Sequence, residues 1–228
     1  MRFRNLLLSL LLSAALAPAA VAQVKLEPAG PLKDASAEVG KALATEGHRV
    51  VLGNGDTLCE MWLATALPPA PSQDAEHTNY SAKLTPGELV GAIAFPHGAK
   101  DFRGQPIKAG TYTLRYELMP NDGNHMGVAP QRDFLLLVAM ASDARTAPMN
   151  SSELLKASSD AAGSSHPAVF LLLPPKSPTL SPPKAAGEKD GPPNGGASAY
   201  ESPEGFVVFA GKAGGVGLAL VVKGQAEQ

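Results

Sequence analysis

The chain has 228 residues, of which 44% are hydrophobic, 5% aromatic and 18% charged, and its formal net charge is −2. These values are typical of a globular protein and exclude a disordered acidic chain; without a basic excess, nucleic acid is a poor partner. The 23 glycines and 21 prolines form about 19% of the chain against a usual share of roughly 12%, which favours turns over long helices.

Residues 1–22 have the pattern of a secretory signal peptide. Arg2 and Arg4 precede an apolar run at residues 6–17, and Ala20-Val-Ala22 supplies the small residues of a cleavage site. The apolar run is too short to span a bilayer, which takes about 20 residues. We therefore expect export to the periplasm or the medium, with no integral membrane segment in the mature chain.

The mature chain begins with an extended stretch and a short helix. Residues 24–33 contain prolines and Gly30 and predict an extended segment, and residues 34–45 predict a short helix capped by Asp34. Residues 48–52 and 57–64 are rich in β-forming residues and flank Gly53-Asn-Gly-Asp56. An Asn-Gly pair between two such runs predicts a β-hairpin.

The central segment predicts three further strands. Residues 65–88 are polar and proline-broken, and we expect a long connection before a strand at 91–95. Residues 111–119 alternate with a period of two, which predicts a half-buried strand with Arg115 and Glu117 on a solvated face. Residues 134–140 are apolar throughout, as in a strand that is covered on both faces.

The last third predicts one helix, one strand and a terminal hairpin. Asn150 and Glu153 form a capping box for a helix that ends before Gly163, and a strand follows at 168–173. Residues 174–203 are rich in proline and glycine and predict a flexible loop within the domain. Residues 205–210 and 216–222 predict a hairpin, which we expect to pair into the same sheet because an isolated hairpin is barely stable.

About eight strands and one or two short helices predict a mainly β fold. Strands that are separated by turn signals, with few helices, are typical of an antiparallel β-sandwich. We expect residues 23–228 to form a single sandwich domain that includes the loop at 174–203. Cys59 is the only cysteine of the chain, which excludes an intrachain disulfide.

Possible metal ligands lie in two loops. Residues 120–127 include Asp122 and His125, and His97 and Asp101 come from an earlier loop. Imidazole and carboxylate groups at a sheet rim are able to bind copper or zinc, which makes His97, Asp101 and His125 the candidate metal set. Their spacing matches no strong metal signature, and the alternative is a hairpin loop in which Asp and Asn side chains cap backbone groups.

Candidate binding residues lie in the same loop and on one strand. Asp122, His125 and Arg132 are placed for ligand contact because functional groups collect on loops held by a rigid sheet. Trp62, the only tryptophan, alternates with Leu58 and Ala64 on a predicted strand. We expect Trp62 to be a core anchor, and the alternative is an exposed platform on which a ligand stacks.

The sequence has no recognisable catalytic constellation. The pentapeptide G-x-S-x-G is absent, and the adjacency of Ser165 and His166 says nothing about their geometry. Cys59 lies in the middle of a predicted strand, as a buried structural cysteine does. The glycine-rich residues 211–217 lack the G-K-[ST] ending of a phosphate-binding loop and predict a hairpin turn instead.

One motif carries a resemblance to known proteins. Ile107-Lys-Ala-Gly-Thr-Tyr-Thr-Leu114 is similar to a strand opening with the pattern A-G-x-Y-x-L in secreted bacterial β-sandwich proteins of undefined function. His125-Met-Gly127 and Arg132-Asp-Phe-Leu-Leu136 resemble the second half of such exported proteins. The resemblance implies a periplasmic or extracellular sandwich, and it transfers no catalytic residue.

These features together predict an exported β-sandwich of binding or structural type in the bacterial envelope. Its partner is an unknown envelope ligand or protein, and we expect no cofactor. The alternative is an envelope protein that binds copper or zinc, or a metal-dependent hydrolase, that uses the His125 loop. A third possibility is that the terminal hairpin is an assembly edge, since exposed strand edges pair with other chains.

Overall fold

A computed structural model of the protein describes residues 23–70, 75–125, 127–174 and 196–226. The predicted signal peptide lies outside the described residues, as does most of the predicted proline-rich loop. The described residues form two α-helices, α1 (Ala37–Ala42) and α2 (Ser151–Ala162). The strands are β1 (Lys25–Ala29), β2 (Gly47–Val51), β3 (Thr57–Leu63), β4 (Leu89–Phe95), β5 (Ala99–Lys100), β6 (Pro106–Ile107), β7 (Gly110–Leu118), β8 (Asp133–Ala139), β9 (Val169–Leu171), β10 (Ser198–Glu201), β11 (Val207–Ala213) and β12 (Val216–Lys223).

The strands form two main antiparallel sheets. The larger sheet has the order β1-β2-β3-β4-β7-β8-β9, the smaller sheet has the order β10-β11-β12, and β5 pairs with β6 in a short ribbon. An isolated bridge pairs Leu172 with Leu220, and the Leu173 N–H donates to the Ala219 carbonyl at 2.8 Å, so that β9 meets β12. The prediction of a mainly β, sandwich-like fold is confirmed.

The β2–β3 hairpin is formed by the residues that predicted it. The Leu52 N–H donates to the Asp56 carbonyl at 2.8 Å, and Gly55 has a φ of +91° inside the turn. The Asn54 side-chain oxygen accepts from the Asp56 N–H at 3.1 Å. Glycine supplies the positive φ that such a turn needs at no steric cost.

A hydrophobic core fills the space between the two sheets. Met61 of β3, Leu114 of β7 and Leu135 of β8 meet Phe209 of β11 and Leu220 of β12 there. These residues alternate along their strands with residues of the opposite face, as the period of a strand requires. The alternation predicted for residues 111–119 therefore holds for the inner face.

A second core covers the outer face of β8. Phe134, Leu136 and Val138 pack with Leu154 of α2 and Val221 of β12. The prediction that this strand is covered on both faces is confirmed. Helix α2 supplies the cover, and among the described residues neither helix has the length and apolar character to cross a bilayer.

Helix α2 begins and ends as the sequence indicates. The Asn150 side chain accepts from the Glu153 N–H at 2.9 Å, and Gly163 closes the helix with a φ of +65°. Helix α1 is shorter than expected and starts elsewhere. Its N-cap is Ser36, whose hydroxyl accepts from the Val39 N–H at 3.1 Å, so the prediction of Asp34 as the cap is wrong.

The outer face of β7 is shielded from solvent. The prediction that Arg115 and Glu117 lie on a solvated face is therefore wrong. Arg115 is fully buried and Glu117 nearly so. The Arg115 guanidinium forms a bidentate salt bridge with Asp143, with Nε–Oδ2 at 2.7 Å and Nη2–Oδ1 at 2.8 Å. Its remaining N–H groups donate to the carbonyl oxygens of Gly87, Arg145 and Ala147. The segment that leads from β8 to α2 covers this face and is held there by Arg115.

The C-terminal region departs from the sequence prediction in two ways. Residues Ser198–Glu201, which fall inside the predicted loop 174–203, form β10 because Tyr200 is buried in the second core. The terminal hairpin pairs with β10 in a separate sheet and not into the larger one. Strand β11 extends to Ala213, and Gly214 and Gly215 form the turn.

Candidate functional site

The predicted binding loop between β7 and β8 is organised around Asp122. Its Oδ1 accepts from the Asn124 N–H at 3.0 Å and the His125 N–H at 3.2 Å, and it lies 2.7 Å from His125 Nδ1. The hydrogen bond from His125 lowers the pKa of Asp122 below its ordinary value. Both side chains are exposed. The loop therefore has the Asx-turn geometry that was the alternative to a metal site.

Asp101, a predicted metal ligand, is buried, and its carboxylate accepts hydrogen bonds from backbone N–H groups. Its Oδ1 accepts from the N–H groups of Arg103 and Gln105, at 3.0 and 2.8 Å. Its Oδ2 accepts from Gln105 Nε2 at 2.8 Å and from the Val169 N–H at 3.1 Å. The carboxylate thus joins the β5–β6 turn to β9.

The three predicted metal ligands do not converge. Across the described ranges, no group of three or more histidine, cysteine, aspartate or glutamate side chains is placed to hold a metal ion. Asp101 is buried at a turn, His125 lies beside Asp122, and His97 lines a depression with Asp56.

The other predicted binding residues hold the structure together. Trp62 is 3% exposed and donates from Nε1 to the Gly30 carbonyl at 2.9 Å, so it is a core anchor and not a stacking platform. Arg132 donates from Nε to the Met119 carbonyl at 2.7 Å and from Nη1 to the Glu76 carbonyl at 3.3 Å. It fixes the ends of two loops.

A buried carboxylate next to Arg132 anchors the connection between β3 and β4. Asp133 accepts from the Tyr116 hydroxyl at 2.7 Å, the Asn79 N–H at 2.6 Å and the Tyr80 N–H at 3.3 Å. Burial raises the pKa of Asp133 above its ordinary value, although these hydrogen bonds act in the opposite direction. The Tyr80 hydroxyl in turn donates to the Leu173 carbonyl at 2.7 Å.

Cys59 and the turn that contains Ser165 and His166 both have structural surroundings. Cys59 is fully buried, and burial raises the pKa of its thiol, which disfavours the reactive thiolate. The turn before β9 is tied by Ser164, whose hydroxyl donates to Gln105 Oε1 at 2.6 Å and accepts from the His166 N–H at 3.0 Å. The expectation that Cys59 is a buried structural residue is confirmed.

Two open depressions lie at the rims of the sheets. The first has a volume of about 360 Å³ and is lined at the end of the β2–β3 hairpin by Leu52, Asp56, Thr57, Leu58, His97 and Gly98. The second has a volume of about 390 Å³ and lies where β3 approaches the β11–β12 turn. It is lined by Ala44, His48, Leu63, Ala64, Thr65, Gly196, Ala197, Lys212, Gly214 and Gly215.

His48 is the functional candidate that the sequence reasoning missed. It pairs in register with Met61, and its ring lies 5.8 Å from the ring of Phe209, centroid to centroid. The imidazole is therefore on the inner face of β2, and partial burial lowers its pKa. The signal was present in the alternation of His48 with Val50, since residues two apart on a strand share a face.

Comparison with protein-family models, curated proteins and solved structures gave no match. The chemistry of the buried carboxylates and of the two depressions therefore carries the functional argument. The carboxylates of Asp101, Asp133 and Asp143 hold loops in fixed positions. Around those fixed loops, each depression presents one histidine together with apolar and polar lining groups.

Proposed function

We propose that this chain is exported from a bacterial cell and acts in the envelope as a binding protein with no reaction of its own. The leader-like sequence of residues 1–22 supports export. Preformed depressions on a rigid sheet scaffold support binding, because ligand sites are concave, largely preformed and lined by apolar groups with a few polar ones.

The second depression carries the proposal. Its volume of about 390 Å³ falls in the range of about 300–1,000 Å³ in which small-molecule sites lie. Apolar Leu63 and Ala64 line it beside the imidazole of His48 and the hydroxyl-bearing Thr65. This combination provides contact area together with groups that orient a ligand.

A screen of small molecules tests the binding function. The purified chain is heated with a library of organic acids, sugars, amino acids and peptides, and the unfolding temperature is recorded. A ligand that binds the folded state raises this temperature in proportion to its occupancy. Hits are repeated with Thr65→Phe, which places a ring in the second depression from an exposed position, and with Thr57→Phe, which places one in the first. A library without any stabilising member contradicts the proposal.

Metal analysis distinguishes the alternative function. Under the proposed function, the purified chain carries no stoichiometric copper or zinc, and His125→Ala leaves its metal content unchanged. One ion per chain that is lost in His125→Ala would establish the metal-binding alternative through the loop of Asp122 and His125, with His97 as the further ligand to test.

Export has its own measurement. The full chain is expressed in a bacterial host, the cell fractions are separated, and the mass of the intact protein is determined. We expect a species that starts at Gln23 outside the cytoplasm. Replacement of Leu7 and Leu8 by aspartate breaks the apolar run and leaves unprocessed protein inside the cell. Processing that survives this change would contradict the leader assignment.

A further inference from the structure

The second depression has an unusual charge balance for a chain with more acidic than basic side chains. The lining residues that carry an ionisable side chain are His48 and Lys212. Lys212 is exposed, and among the residues that the structure describes no aspartate or glutamate belongs to the lining. The chain as a whole has 21 acidic and 19 basic side chains, so this depression is a local excess of positive charge.

The floor of the depression is apolar. Leu63 is almost fully buried there, and Ala44, Ala64 and Ala197 provide small apolar groups around it. The ring of Phe209 lies behind His48 and holds the imidazole from the core side. One part of a bound molecule is therefore offered apolar contact, and another part is offered the Lys212 ammonium and the His48 imidazole.

Close approach of β3 and β11 builds this shape. A Cβ atom on Gly211 would lie 2.8 Å from Leu63 Cδ1, and one on Gly214 would lie 2.5 Å from the Leu67 nitrogen. The Gly214 N–H donates to the Ala64 carbonyl at 2.8 Å, which fixes the β11–β12 turn against the end of β3. The backbone of the β11–β12 turn therefore forms one fixed wall of the depression.

We propose that this depression binds a small organic carboxylate, with its charged end towards Lys212 and His48 and its apolar body against Leu63 and Ala64. A carboxylate gains charge-assisted hydrogen bonds from ammonium and imidazole groups. Its apolar body gains from the removal of apolar surface from water. This inference rests on the proposed binding function and names the ligand class for that site.

Nuclear magnetic resonance of the purified chain with benzoate tests the inference directly. Benzoate combines a carboxylate with an apolar ring. We expect its addition to shift the ring signals of His48, which are assigned by their loss in His48→Phe, and to leave those of His97 in place. His97 belongs to the first depression and is the internal control. Ring signals of both histidines that stay unchanged at saturating benzoate would overturn the inference.

Matched lysine variants test whether the charge of Lys212 contributes to benzoate binding. Lys212→Gln and Lys223→Gln remove the same charge from opposite ends of the β11–β12 hairpin, where Lys212 pairs with Gly217 and Lys223 with Val207. We expect Lys212→Gln to weaken benzoate binding about fivefold, which corresponds to about 1 kcal/mol, and Lys223→Gln to leave it unchanged. Equal effects of the two variants would overturn the site assignment.

Two further probes test the ligand class. Benzyl alcohol keeps the ring without the charge, and inorganic phosphate keeps negative charge without the ring. Both should bind about tenfold or more weakly than benzoate, a difference of at least about 1.4 kcal/mol. Phosphate that binds as tightly as benzoate overturns the class in favour of anions in general. Benzyl alcohol that does so overturns it in favour of apolar molecules.

The outcome is distinguishable from failure of the proposed function. If benzoate leaves His48 unchanged while the screen yields a ligand that Thr65→Phe or Thr57→Phe excludes, binding stands and the carboxylate inference falls. If the screen yields no ligand, the binding function falls as well. His48→Phe keeps an aromatic ring beside Phe209, and a dispersed proton spectrum establishes that this variant is folded.

Discussion

Two side-chain pairs that involve an aspartate have the same closest distance and opposite surroundings. Arg115 Nε lies 2.7 Å from Asp143 Oδ2, and both side chains are 0% exposed. His125 Nδ1 also lies 2.7 Å from Asp122 Oδ1, where the side chains are 42% and 51% exposed. Distance is therefore no measure of what a pair does for the structure. Burial and the remaining hydrogen bonds decide it.

The Arg115 pair is part of a satisfied buried network. All five N–H groups of Arg115 have acceptors, and Asp143 Oδ2 also accepts from the Thr113 hydroxyl at 2.5 Å. Loss of one partner would strand a charge in the interior, which is far more costly than loss of a solvated pair. The His125 pair has water available to each partner. The comparison distinguishes a buried polar cluster that stabilises the fold from an exposed one that contributes little to its stability.

Asp143→Ala should produce the largest effect. It leaves the Arg115 guanidinium buried without its counter-ion, and we expect the free energy of unfolding to fall by about 3–5 kcal/mol. Urea denaturation measures this change. Replacement of both residues, Arg115→Met with Asp143→Leu, removes the stranded charge and should lie closer to the wild type than Asp143→Ala. A single variant within about 1 kcal/mol of the wild type would show that the pair is not buried as described.

Asp133→Asn tests a buried acceptor that has no ionic partner among the described residues. The amide keeps one acceptor oxygen and places a donor at the other position, so at least one of the Tyr116, Asn79 and Tyr80 donors loses its acceptor, and we expect a loss of about 2 kcal/mol. Tyr116→Phe removes one of those donors and is the milder control, with a loss of about 1 kcal/mol. Thermal unfolding ranks the two. A larger loss for Tyr116→Phe than for Asp133→Asn would contradict the central position of the carboxylate.

Glu88→Gln should stabilise the protein. Glu88 Oε2 accepts from the Thr85 N–H at 2.8 Å, while Oε1 is buried with no hydrogen-bond partner among the described residues. An amide carries no charge into this position. We expect the free energy of unfolding at pH 7 to rise by about 1 kcal/mol, because the amide keeps an acceptor for the Thr85 N–H and a neutral group costs less to bury than a carboxylate.

The pH dependence of the free energy of unfolding also follows from the burial of Glu88. Burial raises the pKa of Glu88 in the folded state above the ordinary value of 4.5. The folded state therefore holds the proton more tightly, and stability from this group is lost as the pH rises from 4.5 through the raised pKa. Glu88→Gln should remove that loss, whereas Glu27→Gln on the exposed face of β1 should not. Equal pH profiles for the wild type and Glu88→Gln would refute the assignment.

The smallest effect is expected at the exposed pair. Asp122→Asn and His125→Gln should each change the free energy of unfolding by less than about 0.5 kcal/mol, because solvent screens the pair and the Asx turn survives in asparagine. Chemical denaturation measures both. A loss comparable to that of Asp143→Ala would erase the distinction between the two regions.

Local signals in the sequence predicted the elements that local interactions determine. The β2–β3 hairpin follows from Asn54-Gly55, and α2 follows from the cap at Asn150 and the stop at Gly163. Strand β7, with its period of two, and strand β8, with its continuous apolar run, also lie where they were expected. In each case, the information lies within a few residues of the element.

Contacts between distant segments account for the errors. The face of β7 that carries Arg115 is dry because residues 140–150 cover it, and nothing within β7 reveals this cover. Strand β10 forms in a proline-rich neighbourhood because Tyr200 enters the second core. The inward direction of His48 depends on the register of β2 with β3. Asp101 and His125 have metal-ligand chemistry, but their separation is a property of the fold.

The order of the strands along the chain also determines when the hydrophobic core can be completed. The interior core needs Phe209, Leu220 and Val222 from the smaller sheet, whose strands lie between residues 198 and 223. The inner face of the larger sheet is consequently left uncovered until residues 198–223 have been added. Under the export that we propose, this late completion of the core would keep the chain unfolded while it passes through a narrow translocation channel.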